Sequence, residues 1–542
     1  MTDIEIPVGK RTRQYRFFEM LPGILSYSVI SAPFVLSIFN PLLAAIFIIL
    51  YIITYFVKAI GMAIRTVQGY NTLQRAQRMD WAGRLADTTN PQAALDSSTK
   101  DHIHQLNLEQ LAATTGHKTP DDIYNAVIIA TYNESRDVLE PTIQAVMNND
   151  YDMQHLILIL AYEERGGDAI EETAKGLLRD YKHQFKDMLI VKHPKDLPNE
   201  VPGKGANITY AGRELERYVE KAGIDPDDVI VTTLDSDNRP HRSYFAYLTY
   251  EYIIHPDPRH AAFQPLTLFL NNIWDVPAPM RVVATGNSFW NLINSLRPHM
   301  LRNFASHSQS LAALIDMDFW STRTIVEDGH QFWRSYFRFD GNYAVVPIYV
   351  PIYQDAVLSE GYRKTLIAQF VQVRRWAYGA SDIPYVATRL LSRNRTVPLW
   401  DGFTKFVRLL DGHVSWASAA IIITFGAFGP LLINPEAARS VAAHQLPEIV
   451  SMVQRVAMIG LFVSVFMSFK MLPPRPERYK RHRNVWLLLQ WVLMPVTSLA
   501  YGSAAAINSQ TRLLFGKYLE RFDVTDKAVV GDDGKARVSG KS

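Results

Sequence analysis

Cysteine is absent from this chain of 542 residues. Its absence excludes disulfide scaffolds, thiolate nucleophiles, iron–sulfur clusters and cysteine-ligated zinc, so any metal must be held by carboxylate, imidazole or backbone oxygen. A strong net charge is also lacking, because 56 Lys and Arg against 53 Asp and Glu leave a formal charge of only +3. The overall charge favours neither a nucleic-acid binder nor an acidic tail protein, and we expect no nucleic-acid partner.

Long hydrophobic runs are missing from the middle of the chain and occur only near its two ends. No charged residue occurs between positions 21 and 57. A span needs about 20 residues, so this stretch predicts two membrane spans, near 22–39 and 42–63, with a break at Asn40-Pro41. Three further apolar segments occupy 413–434, 449–469 and 485–509. The alternative, five buried helices of a soluble protein, is disfavoured by the length of the segments.

The distribution of positive charge predicts the orientation in the membrane. The loop between the last two apolar segments carries six basic residues and one acidic residue: Lys470, Arg475, Arg478, Lys480, Arg481, Arg483 and Glu477. The positive-inside rule places this loop in the cytoplasm, and the basic run from Lys10 to Arg16 places the N-terminus there too. The first two spans return the chain to the same side. The sequence therefore predicts a multi-pass protein of the plasma membrane, with the polar region 64–412 inside the cell.

The last apolar segment allows two interpretations. Pro495 divides it, and its second half is rich in Ser, Gly, Ala and Asn. A full crossing would put the tail outside, whereas a hairpin or re-entrant element would keep it inside. Arg512, Lys517 and Arg521, just beyond the segment, favour the inside. We expect the tail beyond about 525 to be disordered.

Strand-like and helix-like stretches alternate between about 122 and 265. Four apolar runs have strand length: 126–131, 156–161, 188–191 and 229–234. Four stretches have helical periodicity: 135–148, 168–182, 205–221 and 241–253. This alternation predicts an α/β domain with a mostly parallel sheet, in which ligands bind at the carboxyl ends of the strands. The segment 65–120 before it is predicted to be a polar connector with some helix.

Polar residues directly follow two of the predicted strands. Thr131-Tyr132-Asn133-Glu134 follows the first, where it is either part of a binding site or a cap of the next helix. Asp235-Ser236-Asp237 follows the run 229–234. Two carboxylates one residue apart can converge on a hard divalent cation that also binds substrate phosphates, although a lone pair of this kind is often structural.

Three more features lie further along this region. Gly203-Lys204-Gly205 opens a helix, so backbone amides and Lys204 can face phosphate oxygens. Glu327-Asp328 offers a carboxylate for general base chemistry, unless the pair is solvated surface. Gln372, Arg375 and Trp376 share one face of a helix predicted over 361–378, where they can clamp a diphosphate and stack a sugar. The alternative for that helix is an aromatic and basic face at the membrane interface.

In this order and spacing, the chain resembles family 2 glycosyltransferases, in particular the membrane-integrated group of cellulose, chitin and hyaluronan synthases. The resemblance extends over about 122–380 and includes the apolar segments on both sides. It implies a cytosolic N-terminus (1–20), two spans (21–64), the connector (65–120), a GT-A-like α/β domain with interfacial helices (121–400), a C-terminal membrane region (401–510) and a partly disordered tail (511–542).

The resemblance also implies roles for single residues. Asp235 and Asp237 would bind Mg²⁺ or Mn²⁺, and Asp328 would be the catalytic base. Trp376 would line the acceptor site. The contacts to the nucleotide sugar would be made by Thr131, Tyr132, Asn133, Glu134, Glu163, Lys204, Asp235, Gln372 and Arg375.

The chain departs from the family pattern in three places. Relatives usually carry an Asp pair after the second strand, where this chain has Tyr162-Glu163-Glu164, so the resemblance does not assign its mode of nucleobase recognition. Val326 replaces the Thr of the Thr-Glu-Asp motif. The segment 304–309, Phe-Ala-Ser-His-Ser-Gln, stands where polymerising relatives often have a small Gly-rich acceptor loop.

The function that the resemblance implies is inverting transfer of sugar from a nucleotide sugar, a UDP-sugar, to a growing polysaccharide that is exported through the protein's own membrane segments. The alternative is transfer of one sugar to a membrane lipid such as a polyprenyl phosphate or a glycolipid. A third hypothesis is that the protein is not an enzyme but a transporter or receptor with a nucleotide-binding domain. Such a protein would show repeated spans or intramembrane charges, which five segments divided two and three do not show.

Overall fold

The fold is that of a computed structural model, which describes residues 5–7, 9, 11–96, 101–434, 441–481, 483–519, 527–530 and 536–538. Within these residues, two long apolar helices lead into an α/β domain, and further apolar helices follow it. Apolar helices thus lie on both sides of the α/β domain along the chain.

The α/β domain is built on a sheet of eight strands among the residues described. They are β1 (Tyr124–Thr131), β2 (Leu156–Glu163), β3 (Asp187–His193), β4 (Val229–Asp235), β5 (Arg239–Pro240), β6 (Ala261–Leu268), β7 (Ser308–Ser310) and β8 (Ala344–Tyr353). Their spatial order is β3-β2-β1-β4-β7-β6-β8-β5.

The sheet is mixed. The four predicted strands, β1 to β4, pair in parallel, as do β6 and β8, whereas β7 runs antiparallel to both β4 and β6 and β5 runs antiparallel to β8. The parallel pairing of the four predicted strands is thus confirmed. The prediction of a mostly parallel sheet holds only for that half, because the short antiparallel strand β7 joins it to a second half in which β5 is also antiparallel. Residues 322–326, which precede Glu327-Asp328, are irregular backbone.

Helices cover both faces of this sheet. They are α6 (Arg136–Met147), α7 (Asp168–Tyr181), α8 (Lys204–Ala222), α9 (Tyr244–Ile254), α10 (Ala278–Ser295), α11 (Leu311–Asp316) and α12 (Glu327–Arg338). The first four match the predicted helical stretches to within a few residues. Two more helices, α13 (Tyr362–Ala377) and α14 (Asp382–Leu390), pack mainly against apolar helices from the two ends of the chain.

Alternate residues of the central strands enter two separate cores. Ile128 and Ile159 pack in one core with Leu215 of α8, whereas Ile129 packs in the other with Ile143 of α6. All are fully buried, and each large aliphatic side chain contributes about 1.5–3 kcal/mol on burial. This two-sided burial explains why the strands are continuous apolar runs rather than alternating ones.

The first two predicted spans are long helices. They are α1 (Arg13–Phe39) and α2 (Pro41–Arg78), divided at Asn40, whose side chain caps α2 by accepting from the Leu42 amide. Both continue beyond the predicted apolar cores. The predicted connector 65–120 contains the end of α2 and three short helices: α3 (Trp81–Asp87), α4 (Pro91–Asp96) and α5 (His102–Ala112).

The C-terminal apolar region consists of α15 (Leu399–Phe425), α16 (Gly429–Ile433), α17 (Val441–Met471), α18 (Arg483–Leu489), α19 (Met494–Thr497) and α20 (Ala504–Leu514). A 3₁₀ turn and a π turn join the last three into one irregular helix. Within the described residues, five helices are long and apolar enough to cross a membrane, namely α1, α2, Leu399–Phe428, Gln445–Met471 and Arg483–Leu514.

Both ends of the last apolar helix contact the α/β domain or the residues next to it. At its start, Arg483 donates to the carbonyl of Trp274 at 2.7 Å. After its end, the Leu519 amide donates to the Tyr378 hydroxyl at 3.3 Å. Beyond this point the described residues form β9 (Ala528–Val530) and β10 (Ala536–Val538), an antiparallel pair, and the rest of the tail that was predicted to be disordered lies outside the described residues.

Candidate active site

Three elements meet at the ammonium group of Lys204, the first residue of α8. Its Nζ lies 3.0 Å from an oxygen of Asp235, at the end of β4, and 3.2 Å from an oxygen of Asp328, in the first turn of α12. Burial alone would raise the pKa of Asp235, but Lys204 and other cations hold it below its ordinary value. The same two carboxylates raise the pKa of Lys204 against the effect of burial. The structure thus brings together three residues that lie far apart in the sequence.

Asp237, the second carboxylate of the Asp-x-Asp turn, pairs with a different lysine. Lys527 Nζ lies 2.8 Å from Asp237 Oδ1 and donates to the Ser236 hydroxyl at 2.6 Å. Burial lowers the pKa of Lys527, but Asp237 and neighbouring carboxylates raise it overall. The sequence analysis missed Lys527, because a single lysine in a polar tail carries no local signal.

Asp355 is a second residue that the sequence analysis missed. It follows β8, and its amide donates to Asp237 Oδ2 at 3.1 Å. Burial and the charge of Asp237 raise the pKa of Asp355 to about 7. Because it comes just after a strand's carboxyl end, recognition of β8 would have marked it as a candidate.

Glu134 organises the loop after β1. Its Oε2 accepts hydrogen bonds from the Thr131 hydroxyl at 2.6 Å, the Tyr132 amide at 2.7 Å and the Asn133 amide at 3.2 Å. Its Oε1 accepts from the Ser236 hydroxyl at 3.0 Å. Burial opposes ionisation, but Lys527 and these hydrogen bonds lower the pKa of Glu134 overall. The four predicted residues therefore form one loop tied to the Asp-x-Asp turn, with Asn133 exposed and Glu134 buried.

Glu163 lies at the end of β2 and is buried. It forms an ion pair with Arg165, whose guanidinium carbon lies 5.5 Å from the centre of the Tyr132 ring. Burial raises the pKa of Glu163, and Arg165 opposes that shift. Glu163 thus lies at the carboxyl edge of the sheet. Its partner Arg165 was missed by the sequence analysis.

Asp328 and Glu327 differ in access to solvent. The side chain of Asp328 is 20% exposed, whereas Glu327 is 3% exposed and one of its oxygens has no hydrogen-bond partner. Burial and the neighbouring Asp328 raise the pKa of Glu327 to about 7. Of the two, Asp328 is the carboxylate that a substrate can reach.

The unusual segment 304–309 lies beside Asp328. His307 is fully buried, with its Nδ1 3.8 Å from an Asp328 oxygen and 2.9 Å from the Phe304 carbonyl. Trp320 Nε1 donates to His307 Nε2 at 3.2 Å. These contacts fit a neutral imidazole with its proton on Nδ1, in agreement with a pKa that burial lowers. Contacts to both ring nitrogens therefore hold the imidazole in one orientation next to Asp328.

The three predicted residues of α13 face two different environments. Gln372 lines a small cavity together with Asp237, Asp355 and Lys527. Arg375 is close enough for its charge to lower the pKa of Asp235. Trp376 packs against Phe269, with ring centres 5.9 Å apart, at the edge of an apolar cluster.

Asp235 and Asp237 carry the hard oxygen atoms that Mg²⁺ and Mn²⁺ prefer. Among the described residues, no group of three or more His, Asp or Glu side chains is placed to hold a metal ion. A cation that keeps several waters needs only one or two carboxylates plus substrate phosphates, so this pair fits such an ion in the presence of a donor. Lys204 and Lys527 contact the same carboxylates.

Comparison with known proteins gives only distant likenesses. No family model matches the chain, and no curated protein does. The mannosyltransferase PcManGT from Pyrobaculum calidifontis, in complex with GDP-Man and Mn²⁺, aligns with a TM-score of 0.40 and 14% identity, over 84% of this chain and 100% of that chain. TarS 1–349 from S. aureus, in complex with UDP-GlcNAc, aligns with a TM-score of 0.36 and 13% identity, over 77% and 97%. At such scores the function has to be inferred from this chain's own residues.

Proposed function

We propose that this protein is a membrane glycosyltransferase that transfers sugar from a nucleotide sugar to an acceptor hydroxyl. The observation that carries the proposal is the convergence of Asp235 and Asp328 on Lys204 at the carboxyl edge of the sheet. Cations for a diphosphate and a reachable carboxylate for an acceptor thus lie within a few ångströms of each other. The sequence resemblance to family 2 glycosyltransferases supports the same assignment.

The cations of the site stabilise the leaving group. Lys204 and Arg375 lie where positive charge would stabilise the negative charge that develops on a departing nucleoside diphosphate. Asp235 and Asp237 would hold a divalent ion, which would add Lewis-acid stabilisation of the same charge when bound. Gln372, at the cavity beside Asp237, would contribute a neutral hydrogen bond to the diphosphate.

Asp328 acts as the general base. Its partly exposed carboxylate would take the proton of the acceptor hydroxyl as that oxygen attacks the anomeric carbon. Lys204 orients the carboxylate, and the buried His307 ring keeps water from its other side. One displacement without a covalent intermediate inverts the anomeric configuration, so an α-linked donor gives a β-linkage.

The membrane region belongs to the same proposal. Four helices would span the bilayer, whereas the last apolar helix would stay on its starting side, because both its ends contact the α/β domain or residues beside it. Of the two interpretations that the sequence leaves open, these contacts support the one without a full crossing. Catalysis would then take place on the cytoplasmic side, with Trp376 and Phe269 at the entrance to the membrane region.

The product distinguishes the two acceptor classes. We infer a growing polysaccharide, and the matching experiment incubates membranes containing the protein with labelled UDP-sugars and Mg²⁺ or Mn²⁺ before the product is sized. High-molecular-weight product from one donor is the expected result. Label confined to solvent-extractable lipid would make the acceptor a lipid, and no transfer from any nucleotide sugar would contradict the proposal. Membranes with the Asp328→Asn variant give the background.

A further inference from the structure

The segment 472–483, which joins α17 to α18 and is called the loop below, includes Arg483, the first residue of α18, and lies at the boundary of the membrane region. Phe466 near the end of α17 is 57% exposed and Trp486 at the start of α18 is 62% exposed, as expected for side chains that face lipid. The loop itself is rich in Arg and Lys and has a single acidic residue. It therefore presents positive charge at the level where lipid headgroups lie.

Part of this charge is used to hold the α/β domain. Arg478 forms an ion pair with Asp275 at 2.7 Å, and the Tyr479 hydroxyl donates to the same carboxylate. Arg483 donates to the Trp274 carbonyl, and the Trp274 indole donates back to the Pro473 carbonyl at 3.1 Å. The loop is thus clamped onto the segment 271–275 that follows β6.

The clamped segment also contacts the candidate active site. Asn271 Nδ2 donates to the Asp237 carbonyl at 2.9 Å. The Asn272 side chain exchanges two hydrogen bonds with the backbone of Ala356, each of 2.8 Å. Only three residues therefore separate the anchor at Asp275 from Asn271, which contacts the Asp-x-Asp turn.

Two exposed cations of the loop, Lys480 and Arg481, take no part in these clamp contacts. Lys480 and Arg481 are both exposed, and neither side chain forms an ion pair or hydrogen bond with any residue that the structure describes. In sequence they lie between Tyr479 and Arg483, two residues of the clamp, and just before the lipid-facing start of α18. Such positions suit an anionic surface rather than a protein carboxylate.

We propose that Lys480 and Arg481 bind the headgroups of anionic phospholipids and that this contact steadies the segment 271–275 beside the Asp-x-Asp turn. A basic segment next to a membrane span is attracted to anionic lipid, and here Arg478 and Arg483 join the same loop to the α/β domain. The lipid composition of the bilayer would thereby change how firmly the segment 271–275 is held beside the candidate active site. This inference does not depend on which sugar, if any, the protein transfers.

The test measures amide hydrogen exchange of the full-length protein in detergent micelles titrated with phosphatidylglycerol. Phosphatidylcholine and inorganic phosphate at equal ionic strength serve as separate arms. We expect phosphatidylglycerol to slow exchange in 271–275 and 472–483. In the Lys480→Gln/Arg481→Gln variant, the fraction of phosphatidylglycerol that slows exchange to the same extent should be about 30-fold higher.

The matched control removes two exposed cations far from the loop, Arg179→Gln/Lys182→Gln, and should respond like the original protein. Equal protection by phosphatidylcholine or by free phosphate would overturn the proposal, as would an unchanged response of the loop variant. If the double variant does not fold, the single variants Lys480→Gln and Arg481→Gln are measured instead, each with an expected shift of about fivefold. If Asp275→Asn loses the lipid-dependent protection of 271–275 but keeps that of the loop, the clamp is what connects the loop to this segment.

Discussion

The two ends of the Asp-x-Asp turn are neutralised by two lysines that come from very different parts of the chain. Lys204 belongs to the α/β domain itself, opens α8 and touches both Asp235 and Asp328. Lys527 comes from the tail and touches Asp237 and Ser236. The inner pair, Lys204 with its carboxylates, is thus built within the α/β domain, whereas the outer pair, Lys527 with Asp237, depends on how the tail lies against the domain. Under the proposed function, Lys204 would take part in the chemistry and Lys527 would compete with a metal ion for Asp237.

The largest expected effect comes from the inner pair. In Lys204→Met, a buried cation is lost and two carboxylates are left facing one another, so turnover of the nucleotide sugar should fall by about 10²–10³-fold. The measurement is the initial rate at saturating donor, together with the thermal midpoint to detect unfolding, because breaking a buried pair can cost about 3–5 kcal/mol. Lys204→Arg keeps the charge and should retain part of the rate. A folded Lys204→Met protein with full activity would remove the inner lysine from the mechanism.

In the outer pair, removal of the lysine should strengthen metal binding. A cation that binds Asp237 has to displace the Lys527 ammonium group, so Lys527→Gln should bind Mn²⁺ about tenfold more tightly in the absence of donor, a difference of about 1.4 kcal/mol. Titration of Mn²⁺ followed by electron paramagnetic resonance measures this affinity directly. Lys517→Gln, an exposed lysine of the same tail, is the control and should bind Mn²⁺ like the original protein. Weaker binding in Lys527→Gln would mean that Lys527 supports the metal site instead of competing with it.

A smaller effect concerns the dependence of stability on pH. The pKa of Glu327 is raised from 4.5 to about 7, so between these values the folded state binds more protons than the unfolded state. Stability from this group is therefore present at low pH and is lost as the pH rises towards and through 7. Glu327→Gln removes this dependence. We expect the thermal midpoint of the variant minus that of the original protein to be a few degrees larger at pH 8 than at pH 5. The same difference at both pH values would contradict the assignment.

Local patterns predicted the first half of the fold well because that half is made of local signals. The strands β1 to β4 are continuous apolar runs, and α6 to α9 show helical periodicity, so neither depends on distant residues. The second half was missed for physical reasons. β5 and β7 contain two and three residues, too few for a pattern, and β8 contains two prolines that are unusual inside a strand.

The same distinction applies to the candidate site. Asp235 and Asp328 were predicted because each stands in a recognisable motif, and the structure brings both to Lys204. Lys527 and Arg165 were not predicted, since their importance lies only in what they contact after folding. The spacing along the helix grouped Gln372, Arg375 and Trp376 on one face, but it could not indicate that Trp376 packs against Phe269 at an apolar cluster.

The central claim, that Asp328 is the base of a glycosyl transfer, is tested most directly by measuring donor binding and turnover in Asp328→Asn. Asp340→Asn, an exposed aspartate at the end of the same region where asparagine also tolerates the left-handed backbone, is the matched control. We predict that Asp328→Asn binds the nucleotide sugar nearly as well as the original protein but loses about 10²–10⁴-fold in turnover, while Asp340→Asn keeps both. Full turnover in Asp328→Asn would contradict the account.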